Sequence, residues 1–206
     1  MAEGIDAVVF DLGGVLIDWN PRHLYRRMFD EEAEMERFLA EICTPEWNLE
    51  QDRGRPWAQA IAELSARHPD QAERIRAYRA RWPEMLNGAI EDTVGVLERL
   101  DQARVPLYAI TNWSAETFPI GERMFPFLAL FRGIVVSGRI GFVKPESQIY
   151  RHALARFGLL AERTLFIDDT PANVAGARAV GMQAIRFVGA EVLARDLSAL
   201  GIPCGG

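Results

Sequence analysis

Four short apolar stretches limit what this chain can fold into: residues 7–10 (AVVF), 106–110 (PLYAI), 164–167 (TLFI) and 183–188 (QAIRFV). Each is bounded by polar residues and too short for an ordinary helix, so each reads as a strand buried on both faces. A fifth stretch, 133–136 (GIVV), reads the same way. Between the later ones the apolar spacing becomes helical. Val94, Leu97 and Leu100 form one stripe, and Ile149, Tyr150, Ala153, Leu154 and Phe157 another. Ala172 to Val180 reads as a further helix, closed by Gly181. Strands with no polar face, alternating with helices, predict an open parallel α/β sheet covered on both sides.

Residues 19–84 break the alternation and contain no strand pattern. Asn20-Pro21 predicts a capped helix start. Three apolar stripes follow: Met35, Phe38, Leu39 and Ile42; Trp57, Ile61 and Leu64; and Ile75, Tyr78 and Trp82. The expectation is an all-helical unit at 19–84, inserted into an α/β core made of 1–18 and 85–206. Trp47, Trp57 and Trp82 are expected in the core of the insert.

The chain has 206 residues, 49% of them hydrophobic, which is enough for a full core and a modest second unit. A net charge of -6 would repel a polyanion, so nucleic acid is not an expected partner. The two cysteines, Cys43 and Cys204, have no metal-ligand spacing and argue against a disulfide framework. The start, MAEGIDAVVF, lacks the features of a signal peptide, and no apolar run approaches the roughly 20 residues that span a bilayer. The expected setting is the cytoplasm, without a membrane.

In an open parallel sheet, ligands bind beyond the carboxyl ends of the strands. The first strand delivers Asp11 there, followed by Leu12, Gly13 and Gly14. The second delivers Thr111 and Asn112, with Trp113 beside them; Lys144 precedes a helix; and the TLFI strand delivers Asp168 and Asp169, with Asn173 soon after. Carboxylates suit a hard, oxygen-preferring cation such as Mg²⁺. A lysine and a hydroxyl suit phosphate oxygens, and an aspartate can itself attack phosphorus.

These residues, in this order, resemble the four motifs of the haloacid dehalogenase-like hydrolase superfamily. Asp11-Leu12-Gly13-Gly14-Val15 is similar to the first, Thr111-Asn112 to the second, Lys144-Pro145 to the third and Asp168-Asp169 to the fourth. The resemblance runs over essentially the whole chain, and KPESQIY and DDTPANVAGARAVGM are close to the phosphatase-like branch. It implies a Rossmann-like core with a helical cap after the first strand, and an Mg²⁺-dependent phosphatase acting on a small phosphorylated metabolite. It further implies Asp11 as nucleophile and metal ligand, and the Gly13 carbonyl and Asp169 as metal ligands. Asp168 and Asn173 would reach the metal's waters. Thr111 and the Asn112 amide would hold the phosphoryl group, with Lys144 balancing its charge and that of Asp11.

One position departs from the pattern. Most phosphatases of the superfamily carry a second aspartate two residues after the nucleophile, as general acid and base; here that position is Gly13. General acid–base help is worth about 10²–10⁴-fold in rate. Either another group substitutes, with Asp18 and His23 as downstream candidates, or the enzyme is slow, or its leaving group needs no help. Dehalogenases of the superfamily also lack that aspartate and use no metal, but their fourth motif is not acidic. A metal-free 2-haloacid dehalogenase is therefore an alternative, and a weakened phosphometabolite-binding protein is another. Arg53 and Arg55 read as loop residues, with contact to a substrate anion as the second reading.

Overall fold

The computed structural model describes residues 4–203, so Cys204 lies outside the described residues. Seven strands occur in it: β1 (Ala7–Phe10), β2 (Ile17–Trp19), β3 (Leu86–Ala89), β4 (Leu107–Thr111), β5 (Gly133–Val136), β6 (Thr164–Asp168) and β7 (Gln183–Arg186). Five form one parallel sheet in the order β5-β4-β1-β6-β7.

Alternation along β1 explains how a strand with no polar residue is used. Val8 and Phe10 enter one core layer with Val94, Leu97, Leu100, Leu193 and Leu197, from helices Glu91–Gln102 and Ala190–Ala199. Val9 points the other way, into a layer with Ile149, Tyr150, Ala153 and Ala177, from helices Ser147–Phe157 and Pro171–Ala179. Side chains of period two thus bury both faces of the strand. β7 is the exception: it is a sheet edge, only partly buried, and it ends at Arg186, short of the predicted Val188.

The segment between β2 and β3 is helical from Pro21 onward, with α-helices Pro21–Tyr25, Glu32–Glu41, Pro45–Asp52, Trp57–Arg67 and Ala72–Ala80. Asn20 caps the first, accepting from the Arg22 N–H at 3.0 Å, with Pro21 as the first helical residue. Aromatic packing holds the unit together. Trp57 stacks on Tyr78 at 5.6 Å between ring centroids, and Trp47 meets Tyr78 edge-on at 5.2 Å. Trp82 instead packs on Trp113 of the α/β core, at 5.3 Å.

The expected absence of strand over 19–84 holds except at Trp19, the last residue of β2. β2 and β3 form an antiparallel ribbon at the base of the insert, pairing Ile17 with Ala89, Asp18 with Gly88 and Trp19 with Leu86. The two strands are three and four residues long and lie far apart in sequence. Neither segment shows the alternation that marks a strand by itself; the pairing exists because the insert returns to its starting point.

Candidate active site

The register of the sheet sets the first two carboxylates side by side. Phe10 pairs with Ile167, so the next residues, Asp11 and Asp168, leave adjacent strands together. The Asp11 N–H donates to the Ile167 carbonyl at 2.8 Å, and the Phe187 N–H donates to the Asp168 carbonyl at 2.9 Å. Lys144 reaches both carboxylates from the loop before helix Ser147–Phe157: its Nζ is 2.7 Å from Asp11 Oδ1 and 2.7 Å from Asp168 Oδ2. All three side chains are nearly or fully buried. Asp168 is saturated with donors, accepting also from the Thr170 N–H at 2.9 Å and from Asn173 Nδ2 at 3.0 and 3.1 Å. Asp169 is less buried, and its carboxylate, with those of Asp11 and Asp168, offers oxygens all within 4.8 Å of one another.

Burial pushes Asp11 up to about 8, and neighbouring Asp168 adds to this against the opposing pull of Lys144. Burial acts to lower Lys144, but Asp11 and Asp168 outweigh it and hold the ammonium above its ordinary range. Three carboxylates against one ammonium leave a formal excess of two negative charges. A divalent cation fits such a donor set: all-oxygen ligands, excess negative charge and a buried carboxylate that needs help to ionise.

The Asn112 side chain is taken up by Lys144. Its carboxamide clamps the Lys144 backbone, accepting from the Lys144 N–H at 2.8 Å and donating to the Lys144 carbonyl at 3.0 Å. It therefore fixes where the Lys144 side chain starts. Thr111 is buried at the end of β4.

The two glycines after Asp11 are not equivalent. Gly14 has φ +74, and a Cβ there would lie 2.6 Å from Asp169 Oδ2. A side chain there is strained by the backbone conformation and would push the Asp169 carboxylate aside. Gly13 has neither restriction, because no atom lies within 4 Å of its ideal Cβ. Gly14→Ala is expected to cost about 1–3 kcal/mol of stability and to displace Asp169, whereas Gly13→Ala leaves stability within about 1 kcal/mol. Urea unfolding of both variants reads the difference.

The two downstream acid candidates are engaged elsewhere. Asp18 accepts from Asn87 Nδ2 at 2.9 Å and lies 3.1 Å from His23 Nε2. Partial burial acts to raise Asp18, but these partners hold it below the usual carboxylate range, so it is ionised near neutrality and has no proton to donate. Arg53 pairs with Glu146 at 2.7 Å, linking the insert to the loop that carries Lys144, and Arg55 bonds Gln51 Oε1 at 2.6 Å.

A small cavity of about 60 Å³ lies where insert and core meet, lined by Gly13, Ile17, Trp19, Asn48, Asp52, Trp82, Thr111, Asn112 and Trp113. Asp52, the last residue of helix Pro45–Asp52, was not singled out from sequence. A carboxylate at the end of a helix, in the polar run EQDRGRP, looks like a solvated surface residue; only the tertiary fold turns it inward. Asn48 Nδ2 donates to it at 2.9 Å and the Ser114 backbone donates as well.

Comparisons with known proteins bear on the family and the fold. A family model described as haloacid dehalogenase-like hydrolase matches residues 5–181. The chain is 27% identical over 201 residues to a sesquiterpene phosphatase of Aspergillus oryzae, covering 97% of this chain and 98% of the relative. Among solved structures, a family enzyme of Bacteroides thetaiotaomicron in complex with magnesium and inorganic phosphate superposes with a TM-score of 0.68 at 22% identity, covering 89% of this chain and 94% of that one. An L-2-haloacid dehalogenase superposes equally well, with a TM-score of 0.68 at 21% identity, covering 89% and 86%. At these identities the two structures speak for the fold.

Proposed function

The chain belongs to the haloacid dehalogenase-like hydrolase family, and we propose that within it the protein is an Mg²⁺-dependent phosphatase of small phosphomonoesters. The observation that carries the reading is the cluster itself: Lys144 at 2.7 Å from both Asp11 and Asp168, with Asp169 completing three carboxylates within 4.8 Å. A haloacid carries its own carboxylate, which this cluster would repel. A phosphoester held through a cation would not be repelled.

Asp11, Asp169 and the Gly13 carbonyl would hold magnesium, with Asp168 and Asn173 reaching its waters. When bound, the ion neutralises phosphoryl oxygens and favours ionised Asp11. Asp11 attacks phosphorus, the bond to the ester oxygen breaks, and an aspartyl-phosphate forms. Water then attacks phosphorus, releasing phosphate and restoring the carboxylate. Thr111, the Asn112 backbone N–H and Lys144 hold the phosphoryl oxygens through both steps, the positioning and charge neutralisation that phosphoryl transfer needs. Residues 19–84 act as the cap over the site. The walls formed by Ile17, Trp19, Trp82 and Trp113 favour an apolar group beside the phosphate.

Asp169 and Asp168 separate in this reading. Asp169→Asn is expected to raise the Mg²⁺ needed for half-maximal activity by more than about 100-fold, and Asp168→Asn by about 10–100-fold, the usual effect of a residue acting through a ligand. Titration of activity with Mg²⁺ checks the order. The reading as a whole is tested by assaying phosphate release from a panel of phosphomonoesters, and halide release from short 2-haloacids, with and without Mg²⁺. Mg²⁺-dependent phosphate release is expected; metal-independent halide release assigns the protein to the dehalogenases instead.

A further inference from the structure

The position at which most phosphatases of the family carry their proton donor is Gly13 here, and the cavity it lines is also lined by Asp52, from elsewhere in the chain. Among the described residues that line this cavity, Asp52 is the one titratable side chain. Its carboxyl is held by two neutral donors, Asn48 Nδ2 at 2.9 Å and the Ser114 backbone, and no cation among the described residues is paired with it. Its backbone is fixed too, since Ser137 Oγ donates to the Asp52 carbonyl at 2.5 Å. Next to that anchor, Trp57 Nε1 donates to Ser114 Oγ at 3.0 Å, tying the insert to the loop after Thr111 and Asn112. The placement is therefore rigid and adjoins the phosphoryl-holding groups.

We propose that Asp52 is the proton donor and acceptor of the phosphatase reaction, supplied by the insert in place of the aspartate missing at position 13. The inference rests on the phosphatase reading above. As the bond from phosphorus to the ester oxygen breaks, its electron pair stays on that oxygen, which takes the proton of the Asp52 carboxyl and leaves as an alcohol. Asp52 is then a carboxylate, and it takes one proton from the water that attacks the aspartyl-phosphate. Both cycles close: ester and water are consumed, alcohol and phosphate are released, and Asp52 is again protonated. Burial among apolar groups pushes its carboxyl up to about 7, so the acid form is populated near neutrality. Because Asp52 belongs to the insert, the acid is in place only when insert and core are together.

The test compares an alkyl phosphate with an aryl phosphate whose leaving oxygen needs little protonation. Wild type is expected to show a shallow dependence of kcat on leaving-group pKa. Asp52→Asn keeps one acceptor oxygen for its neighbours. It is expected to lower kcat for the alkyl ester by about 10²–10⁴-fold, and for the aryl ester by a much smaller factor. Gly13→Asp, whose Cβ meets no atom within 4 Å, is expected to restore alkyl turnover in the Asp52→Asn background. Equal losses on both esters would make Asp52 a structural contact only and overturn the proposal. So would a steep leaving-group dependence in wild type, which needs no variant to fold. Absence of Mg²⁺-dependent turnover of either ester by wild type would instead overturn the phosphatase reading beneath it.

Discussion

Asp11→Asn is expected to lower phosphate release by about 10⁴-fold or more, on the scale seen when a nucleophile is removed, with the fold intact. Chemistry and structure separate cleanly at this position. An amide oxygen is a poor nucleophile and a weaker ligand for a hard cation. Yet Asp11 Oδ1 is the atom that accepts from both the Leu12 N–H and Lys144 Nζ, each at 2.7 Å, and an asparagine oxygen can accept the same two donors. Burial disfavours the Asp11 carboxylate, so a neutral amide also relieves an electrostatic cost. Thermal unfolding of the variant within a few degrees of wild type, combined with lost turnover, is the expected pair of results. Near-wild-type turnover by a folded variant would remove Asp11 from the chemistry.

Lys144→Met is expected to damage both activity and stability. The lysine is the one cation between two buried carboxylates, at 2.7 Å from each. Removing one partner of a buried ion cluster leaves uncompensated charge and costs about 3–5 kcal/mol. Methionine nearly preserves the volume of the side chain, so the loss reports charge and not a cavity. Losing a charged donor to the transferring group should lower kcat by a further 10²–10³-fold or so. Urea unfolding of the metal-free protein measures the first effect. The second is read from kcat at saturating Mg²⁺ in the folded fraction. A variant as stable as wild type would mean that the Asp11 and Asp168 carboxylates do not depend on Lys144.

How far the sequence carried this reading depended on the range of the interactions. Strands of the parallel sheet announce themselves because burial on both faces leaves an unbroken apolar run, as in AVVF and TLFI. The chemistry follows from strand ends, since a parallel sheet gathers whatever sits just beyond them; Asp11, Asp168 and Asp169 come together for that reason, and Lys144 joins them from a loop. What stayed hidden was made by tertiary contact. The ribbon of β2 and β3 forms only once the insert closes, and LNGA carries no period of its own. The Asn112 clamp joins a strand end to a loop 32 residues away. Glycine type alone also cannot tell Gly14, locked by φ and by Asp169, from Gly13, which stands in open space. Asp52 is the clearest case: its local sequence reads as solvent-facing, and only the docking of insert on core places it in the cavity with Gly13.

If Asp11 carries the phosphoryl group between the two steps, a quenched turnover traps it there. Wild-type protein is mixed with Mg²⁺ and a phosphomonoester labelled at phosphorus, stopped in acid during the first turnovers, digested and sequenced by mass spectrometry. The expected result is label on the peptide containing Asp11, at Asp11 itself, and none on the same peptide of Asp11→Asn. Turnover of the ester with label on another residue, or with none on the protein at any time, would mean that Asp11 is not the nucleophile.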